Sequence, residues 1–274
     1  MAVKTFAAID VGSSGVSMKI FEITTRKGYR QIDYVSDTIE LGSDTYANGY
    51  ISQESVERLC DILLGFMKKM REYDTLDYCA YATSAIREAK NNMMVLDLIK
   101  LRTGITVKIL SNSEHRFLMY KGLAVKADYF DKIVEKNTAI VDLGAGSIQI
   151  SLMNNGKLTA TQNIPIGALR VRERLKTLRF GNSQLVHVME ELIANEIDTF
   201  QHYYLREKEI KNIIAIGDEI QNLIQNYQKL TAMEKIRAIL DLFLALETTC
   251  SVEQWYGFAL EIDDDVYCKG TSIY

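Results

Sequence analysis

One segment of the chain occurs twice. AIDVGSSGVSMKI, around Asp10, returns 132 positions later as IVDLGAGSIQISL, around Asp142. Each copy is an apolar strand, an aspartate, one intervening residue, a glycine followed by small residues, and a second strand of alternating polarity. That is the pattern of a hairpin with Gly12 or Gly144 at its turn. A repeat at this spacing predicts two similar halves, and 274 residues hold just under two domains of ordinary size, ~150 residues each. A single hairpin of this kind asks for no ligand, because tight turns use glycine for its backbone freedom. Two of them, each beside a strand-end carboxylate, offer backbone N–H groups that can approach phosphate oxygens, and aspartates that can hold a metal ion or its water ligands.

Composition narrows the partners. With 36 acids against 32 bases the net charge is −4, so no global positive field draws in nucleic acid, an anionic membrane or a polyanion. An anionic ligand must be held locally. The chain is 47% apolar and 25% charged, an ordinary globular balance. No apolar run approaches the roughly 18 residues of a membrane helix. Cys60, Cys79, Cys250 and Cys268 show neither CxxC nor metal-ligand spacing, and no secretory signal precedes them, which points to a reducing, cytoplasmic setting. Three histidines, His115, His187 and His202, do not make a histidine-rich metal centre.

The element order predicts a mixed α/β chain. Strands are expected at 5–11, 15–23, 29–39, 77–83 and 105–110, with helices at 52–72 and 92–102. The second half repeats the plan, with strands at 137–142, 147–153, 158–165 and 211–216 and helices at 168–178, 183–205, 217–228 and 231–247. No Pro- or Ser-rich linker separates the halves, so the expected domains are 1–128 and 129–274, joined by a short crossing. The Walker A pattern is absent and neither GSSG nor GAGS extends to GxGxxG, which removes the P-loop and Rossmann readings.

Six ordered segments carry a family likeness. AIDVGSSG, ELGSDTYANGYIS, ATSAIREAKN, ILSNSEHRFLMYKG, VDLGAGSIQI and IPIGALRVRERL together resemble the motifs of the exopolyphosphatase and guanosine pentaphosphate phosphohydrolase (Ppx/GppA) family. The resemblance implies two similar ribonuclease-H-like domains of the actin, Hsp70 and sugar-kinase superfold, facing a central cleft. It implies Mg²⁺-dependent release of terminal phosphate from inorganic polyphosphate or pppGpp, with no nucleic-acid or membrane partner, and it suggests a homodimer. Family members generally continue past a segment like CKGTSIY, so it also implies a chain cut to the phosphatase region or unusually short.

On that resemblance Glu114 is the general base that activates water. Ser111-Asn112-Ser113-Glu114 is equally an S-x-x-E capping box, and the two roles can coexist. Arg87, just past a strand, is the phosphate clamp. Gly12, Ser13, Ser14, Gly144, Ala145, Gly146, Ser147 and Arg170 are the expected phosphate-binding residues. Asp10, Asp142 and Gln149 are the expected metal positions, Mg²⁺ needing only one or two protein carboxylates beside substrate phosphates. Arg172, Arg174, Lys176 and Arg179 read as a solvated helix face, and Asp263 to Asp265 as a solvated acidic loop.

The chain departs from the family pattern at several places. Gln149 stands where the family has glutamate, Ile148 for threonine, Ala145 for glycine, Ser14 and Gly15 for Asn and Ser, and Phe117 at an arginine position beside Arg116. The later glycine-rich phosphate turn is here Gly217-Asp218-Glu219-Ile220. These changes motivate a second expectation, a member that binds polyphosphate or (p)ppGpp as a sensor with little turnover.

Overall fold

A computed structural model describes residues 3–24, 28–126, 130–177, 191, 195–196, 199–200, 202–204, 210–217 and 254–257. The chain divides into two compact units, 1–118 with 172–174, and 119–171 with 175–274.

In the first unit, β1 (Lys4–Val11), β2 (Gly15–Thr24) and β3 (Gly28–Thr38) form an antiparallel meander, followed by α1 (Leu41–Asn48) and α2 (Gln53–Glu72). Then come β4 (Asp77–Ala82), α3 (Ser84–Glu88), α4 (Asn92–Thr103), β5 (Lys108–Ile109) and α5 (Asn112–Lys126), which passes into the second unit after residue 118. The sheet order is β3-β2-β1-β4-β5, with β4 parallel to both β1 and β5. Alternation puts Ala7, Ile9 and Val11 of β1 and Val16, Met18 and Ile20 of β2 into one core. Helix α2 covers that core through Val56, Leu59, Cys60, Leu63, Phe66 and Met70, a stripe spaced three or four apart. Its start is fixed by Ser52, whose Oγ accepts the Ser55 N–H at 3.2 Å.

The second unit holds the end of α5 from residue 119, α6 (Phe130–Val134), β6 (Thr138–Leu143), β7 (Ile148–Asn154), β8 (Lys157–Ile164), α7 (Ala168–Thr177) apart from 172–174, β9 (Asn212–Ile216) and β10 (Gln254–Gly257). Its order, β8-β7-β6-β9-β10, repeats that of the first sheet strand for strand, antiparallel on one side and parallel on the other. Strand β6 has apolar clusters on both faces. Ala139 and Val141 join Ile150, Leu152 and Ile164, while Ile140 joins Leu123, Phe130, Ile133 and Ile214.

The likeness of the units reaches single residues. The β2–β3 ladder shifts register between Ile20 and Phe21, and the β7–β8 ladder shifts between Leu152 and Met153, both 132 positions on. The expected strands at 5–11, 15–23, 29–39, 77–83, 137–142, 147–153 and 158–165 are present within a residue or two, whereas the run at 105–110 pairs only through Lys108 and Ile109. Helices α1, α3 and α6 and strand β10 were not anticipated. The expected helix at 217–228 beyond its first residue, the one at 231–247, most of 183–205, Arg179, His187, Cys250, Cys268, Asp218-Glu219 and Asp263 to Asp265 lie outside the described residues. Cys60 and Cys79 are free thiols. Among the described residues no helix is long and apolar enough to cross a membrane.

Candidate functional site

The first turn is built by β1 and β2. Asp10 pairs with Ser17, and two residues on the Gly12 N–H donates to the Gly15 oxygen at 2.9 Å, closing the loop. A Cβ at Gly12 would stand 3.0 Å from that oxygen, tighter than a side chain normally tolerates. Asp10 and Ser14 are exposed, whereas Ser13 is buried. The Ser13 Oγ lies 2.8 Å from the Tyr46 hydroxyl and 2.9 Å from Ser84 Oγ, and Tyr46 and Ser84 are 3.0 Å apart. Each hydroxyl brings one donor, so three donors can satisfy a closed ring of three bonds. The Gly42 N–H adds a bond to the Ser13 carbonyl at 2.9 Å. Ser13 therefore anchors the turn to α1 and α3 through its side chain, leaving Ser14 at the surface.

Arg87, in the last turn of α3, is half-buried and donates from Nη1 to the Leu110 carbonyl at 2.8 Å, immediately after β5. Glu114 sits in the first turn of α5 and is exposed. Its Oε2 accepts the Ser111 N–H at 2.9 Å, and its own N–H donates to Ser111 Oγ at 3.2 Å. This is the reciprocal capping box that the S-x-x-E spacing predicts. Lys108 Nζ stands 3.4 Å from Oε1. The Ser111 backbone N–H, then the Ser111 hydroxyl and Lys108, hold the Glu114 carboxyl below its ordinary value of 4.5, so it is an anion at neutral pH. The adjacent His115 is pushed down from 6.5 by burial, with the Arg87 and Arg116 charges acting in the same direction.

The second turn repeats the first with added support. Asp142 pairs with Gln149, and the Gly144 N–H donates to the Ser147 oxygen at 3.0 Å. Two glycine backbones press on this loop. A Cβ at Gly167 would fall 2.3 Å from the Ala145 carbonyl carbon and oxygen and 2.4 Å from the Gly146 nitrogen. At Gly217, with φ of 142°, it would fall 2.3 Å from the Leu143 oxygen. The Ala145 carbonyl accepts the Leu169 and Arg170 N–H groups at 3.0 and 3.2 Å, and Arg170 Nε donates to the Gly146 carbonyl at 2.6 Å. Arg170 is 8% exposed, so its guanidinium is built into the loop. Ser147 and Gln149 are buried beside it.

The donor chemistry fits Mg²⁺ and not a preformed protein cage. Among the described residues no three His, Cys, Asp or Glu side chains come together. Asp10 and Asp142 are strand-end carboxylates whose ladder partners, Ser17 and Gln149, are neutral. Mg²⁺ uses such a site, one or two carboxylates with retained water and substrate oxygens.

Sequence reasoning did not single out Tyr46, Ser84, Lys108 or Asn163. Tyr46 and Ser84 lie inside matched motifs but carry their roles through tertiary contact. Asn163, opposite Gln149, has an Oδ1 closed off from solvent that accepts no hydrogen bond among the described residues. Such an orphan acceptor costs about 1–3 kcal/mol unless a donor reaches it.

The sequence profile of the Ppx/GppA phosphatase family matches residues 20–254. The chain is 26% identical over 195 residues to a bifunctional 3-dehydroquinate synthase/phosphatase of Fusobacterium nucleatum, a match covering 68% of this chain and 28% of that protein. It is 25% identical over 166 residues to exopolyphosphatase 1 of Mycobacterium tuberculosis, covering 60% of this chain and 46% of that one. The chain thus spans less than half the length of these curated relatives. The crystal structure of an exopolyphosphatase from Cytophaga hutchinsonii superposes with a TM-score of 0.68 at 19% identity, over 85% of this chain and 74% of that chain. This likeness is one of fold.

Proposed function

The chain belongs to the Ppx/GppA phosphatase family, and from that premise we propose that it releases terminal phosphate from inorganic polyphosphate or pppGpp with Mg²⁺ as cofactor. The observation that carries the reading is the duplicated turn. Two loops with the same closing hydrogen bond, each next to a strand-end aspartate, recur 132 residues apart, and the second is pressed into shape by the backbones of Gly167 and Gly217. Ser13 and Ser14 in one turn and Ala145, Gly146 and Ser147 in the other take phosphate oxygens through backbone N–H groups, while the Gly12 and Gly144 N–H groups close the turns. Arg87 clamps phosphate, and Arg170 holds the second turn.

Glu114 supplies the base. Its carboxylate is already ionised at neutral pH, so it can orient a water and accept its proton as the oxygen adds to the terminal phosphorus. The bridging P–O bond breaks, the shortened chain leaves with that oxygen as an anion, and orthophosphate is the other product. Asp10 and Asp142 would hold Mg²⁺, which supplies neutralisation of charge on the phosphoryl oxygens. The free thiols of Cys60 and Cys79 suit a cytoplasmic protein.

Phosphate release from long-chain polyphosphate and from pppGpp, with and without Mg²⁺, tests the reading. Release from either that requires Mg²⁺ is expected. Gln149, a buried neutral amide at the family's glutamate position, favours the second reading, a sensor. Tight calorimetric binding of either ligand with no phosphate release would select it.

A further inference from the structure

Helix α1 begins without a capping side chain, for Glu40 at its N-cap makes no side-chain bond to the helix backbone. Residues 172–174, which group with the first unit, supply the hold from outside. Arg172 donates from Nη1 to Glu40 Oε1 at 3.0 Å and from Nη2 to Glu40 Oε2, the two-pronged grip that a guanidinium makes on a carboxylate. Its Nη2 also reaches Ser43 Oγ at 2.9 Å, and its Nε and Nη2 reach Glu173 Oε1 at 3.1 and 3.0 Å. Glu173 is buried, and Ser43 Oγ lies 3.1 Å from the same carboxylate oxygen. The run Arg172, Arg174 and Lys176 reads in the sequence as a solvated face, yet Arg172 engages all three of its guanidinium nitrogens here.

Glu40 and Ser43 flank Gly42, whose N–H donates to the Ser13 carbonyl at 2.9 Å. That carbonyl and the Ser14 N–H belong to one planar trans peptide, so they point in opposite directions. A carbonyl fixed toward α1 therefore turns the Ser14 N–H away from α1, and Ser14 is the exposed residue of the turn. We propose that Arg172 is a positioning residue for the first phosphate turn: by clamping Glu40 and Ser43 to Glu173 it holds Gly42 against the Ser13 carbonyl and so aims the Ser14 N–H at substrate phosphate. The phosphate end of this inference rests on the phosphohydrolase reading. An ion pair between two exposed side chains would contribute little. This one includes a buried carboxylate, and taking a cation away from such a group is the kind of ion-pair loss that disturbs its surroundings.

Hydrogen exchange of the full chain without substrate reads the clamp. In Arg172→Ala the Gly42 amide should exchange at least about tenfold faster, while the amides of α2 keep their wild-type rates, which separates a loosened α1 from misfolding. Arg172→Lys keeps the charge but not the fork and should fall between the two. Phosphate grip is the second readout. Arg172→Ala should raise KM for polyphosphate about tenfold, the scale of one hydrogen bond to a charged group, with kcat nearly unchanged. In a protein that binds polyphosphate without turnover, the calorimetric Kd should move by the same factor. An unchanged Gly42 amide in Arg172→Ala would overturn the proposal, as would a faster amide with unchanged KM and Kd. Arg172-dependent binding without phosphate release would overturn hydrolysis and leave the positioning role standing. A wild type that neither binds nor hydrolyses polyphosphate or pppGpp would overturn both.

Discussion

At Gly167 a hydrogen atom occupies the place where any other residue would set a Cβ 2.3 Å from the Ala145 carbonyl. The atoms it would meet are backbone and cannot swing aside, so the second turn or α7 would have to shift. Gly167→Ala is expected to lower unfolding stability by roughly 3 kcal/mol or more, at the upper end of overpacking costs. Chemical denaturation measures it, and a loss under 1 kcal/mol would show that the turn has room to move. His115 gives a second expectation. Its pKa is lowered in the fold by burial from 6.5, so the unfolded chain binds the proton more readily. Its contribution to stability is therefore complete above about pH 6.5 and declines as pH falls toward the lower folded value. Denaturation midpoints between pH 7.5 and 5 should fall less steeply in His115→Gln than in wild type, and parallel profiles would refute the assignment.

Among the elements, those read from periodicity were the ones that periodicity creates. Strands β1, β2, β6 and β7 and helix α2 declare themselves through alternation or a stripe. Helix α1 does not, because it has no capping side chain and buries only Leu41, Gly42 and Thr45. Tertiary bonds hold it, including Thr45 Oγ1 to the Ala85 carbonyl at 3.0 Å. The pairing of Asn163 with Gln149 was hidden for a sharper reason. Asn155 and Gly156, with φ of 50° and 69°, make the two-residue hairpin turn that the dipeptide predicts. Counting outward from it places Gln162 opposite Gln149. The register shift at Leu152 and Met153 moves the pairing by one residue, setting Asn163 there and turning Gln162 to the other face. A bulge that pattern alone does not announce thus decides which residue stands opposite Gln149. For the candidate site, the positions of Asp10, Gly12, Asp142 and Gly144 were legible because the repeat gives them twice. The partners of Ser13 and the pressure of Gly217 on Leu143 were not, since both join segments far apart in sequence.

For the whole molecule, the two units share strand order, turn closure and the position of a bulge, which is the physical content of the repeated segment. A net charge of −4 means that the chain as a whole does not attract a polyanion by its overall field. On the proposed reading phosphate is held by turn N–H groups, Arg87 and a cation, so binding is expected to be local and Mg²⁺-dependent. The central claim is that Glu114 does more than cap α5. Glutamine preserves a capping box but cannot accept a proton from water, so Glu114→Gln separates the two roles. The decisive measurement is the rate of Mg²⁺-dependent phosphate release from polyphosphate or pppGpp by wild type and Glu114→Gln, at equal melting temperature. A fall of about 100-fold is predicted, the scale of a lost general base; equal rates in the two proteins would contradict the account.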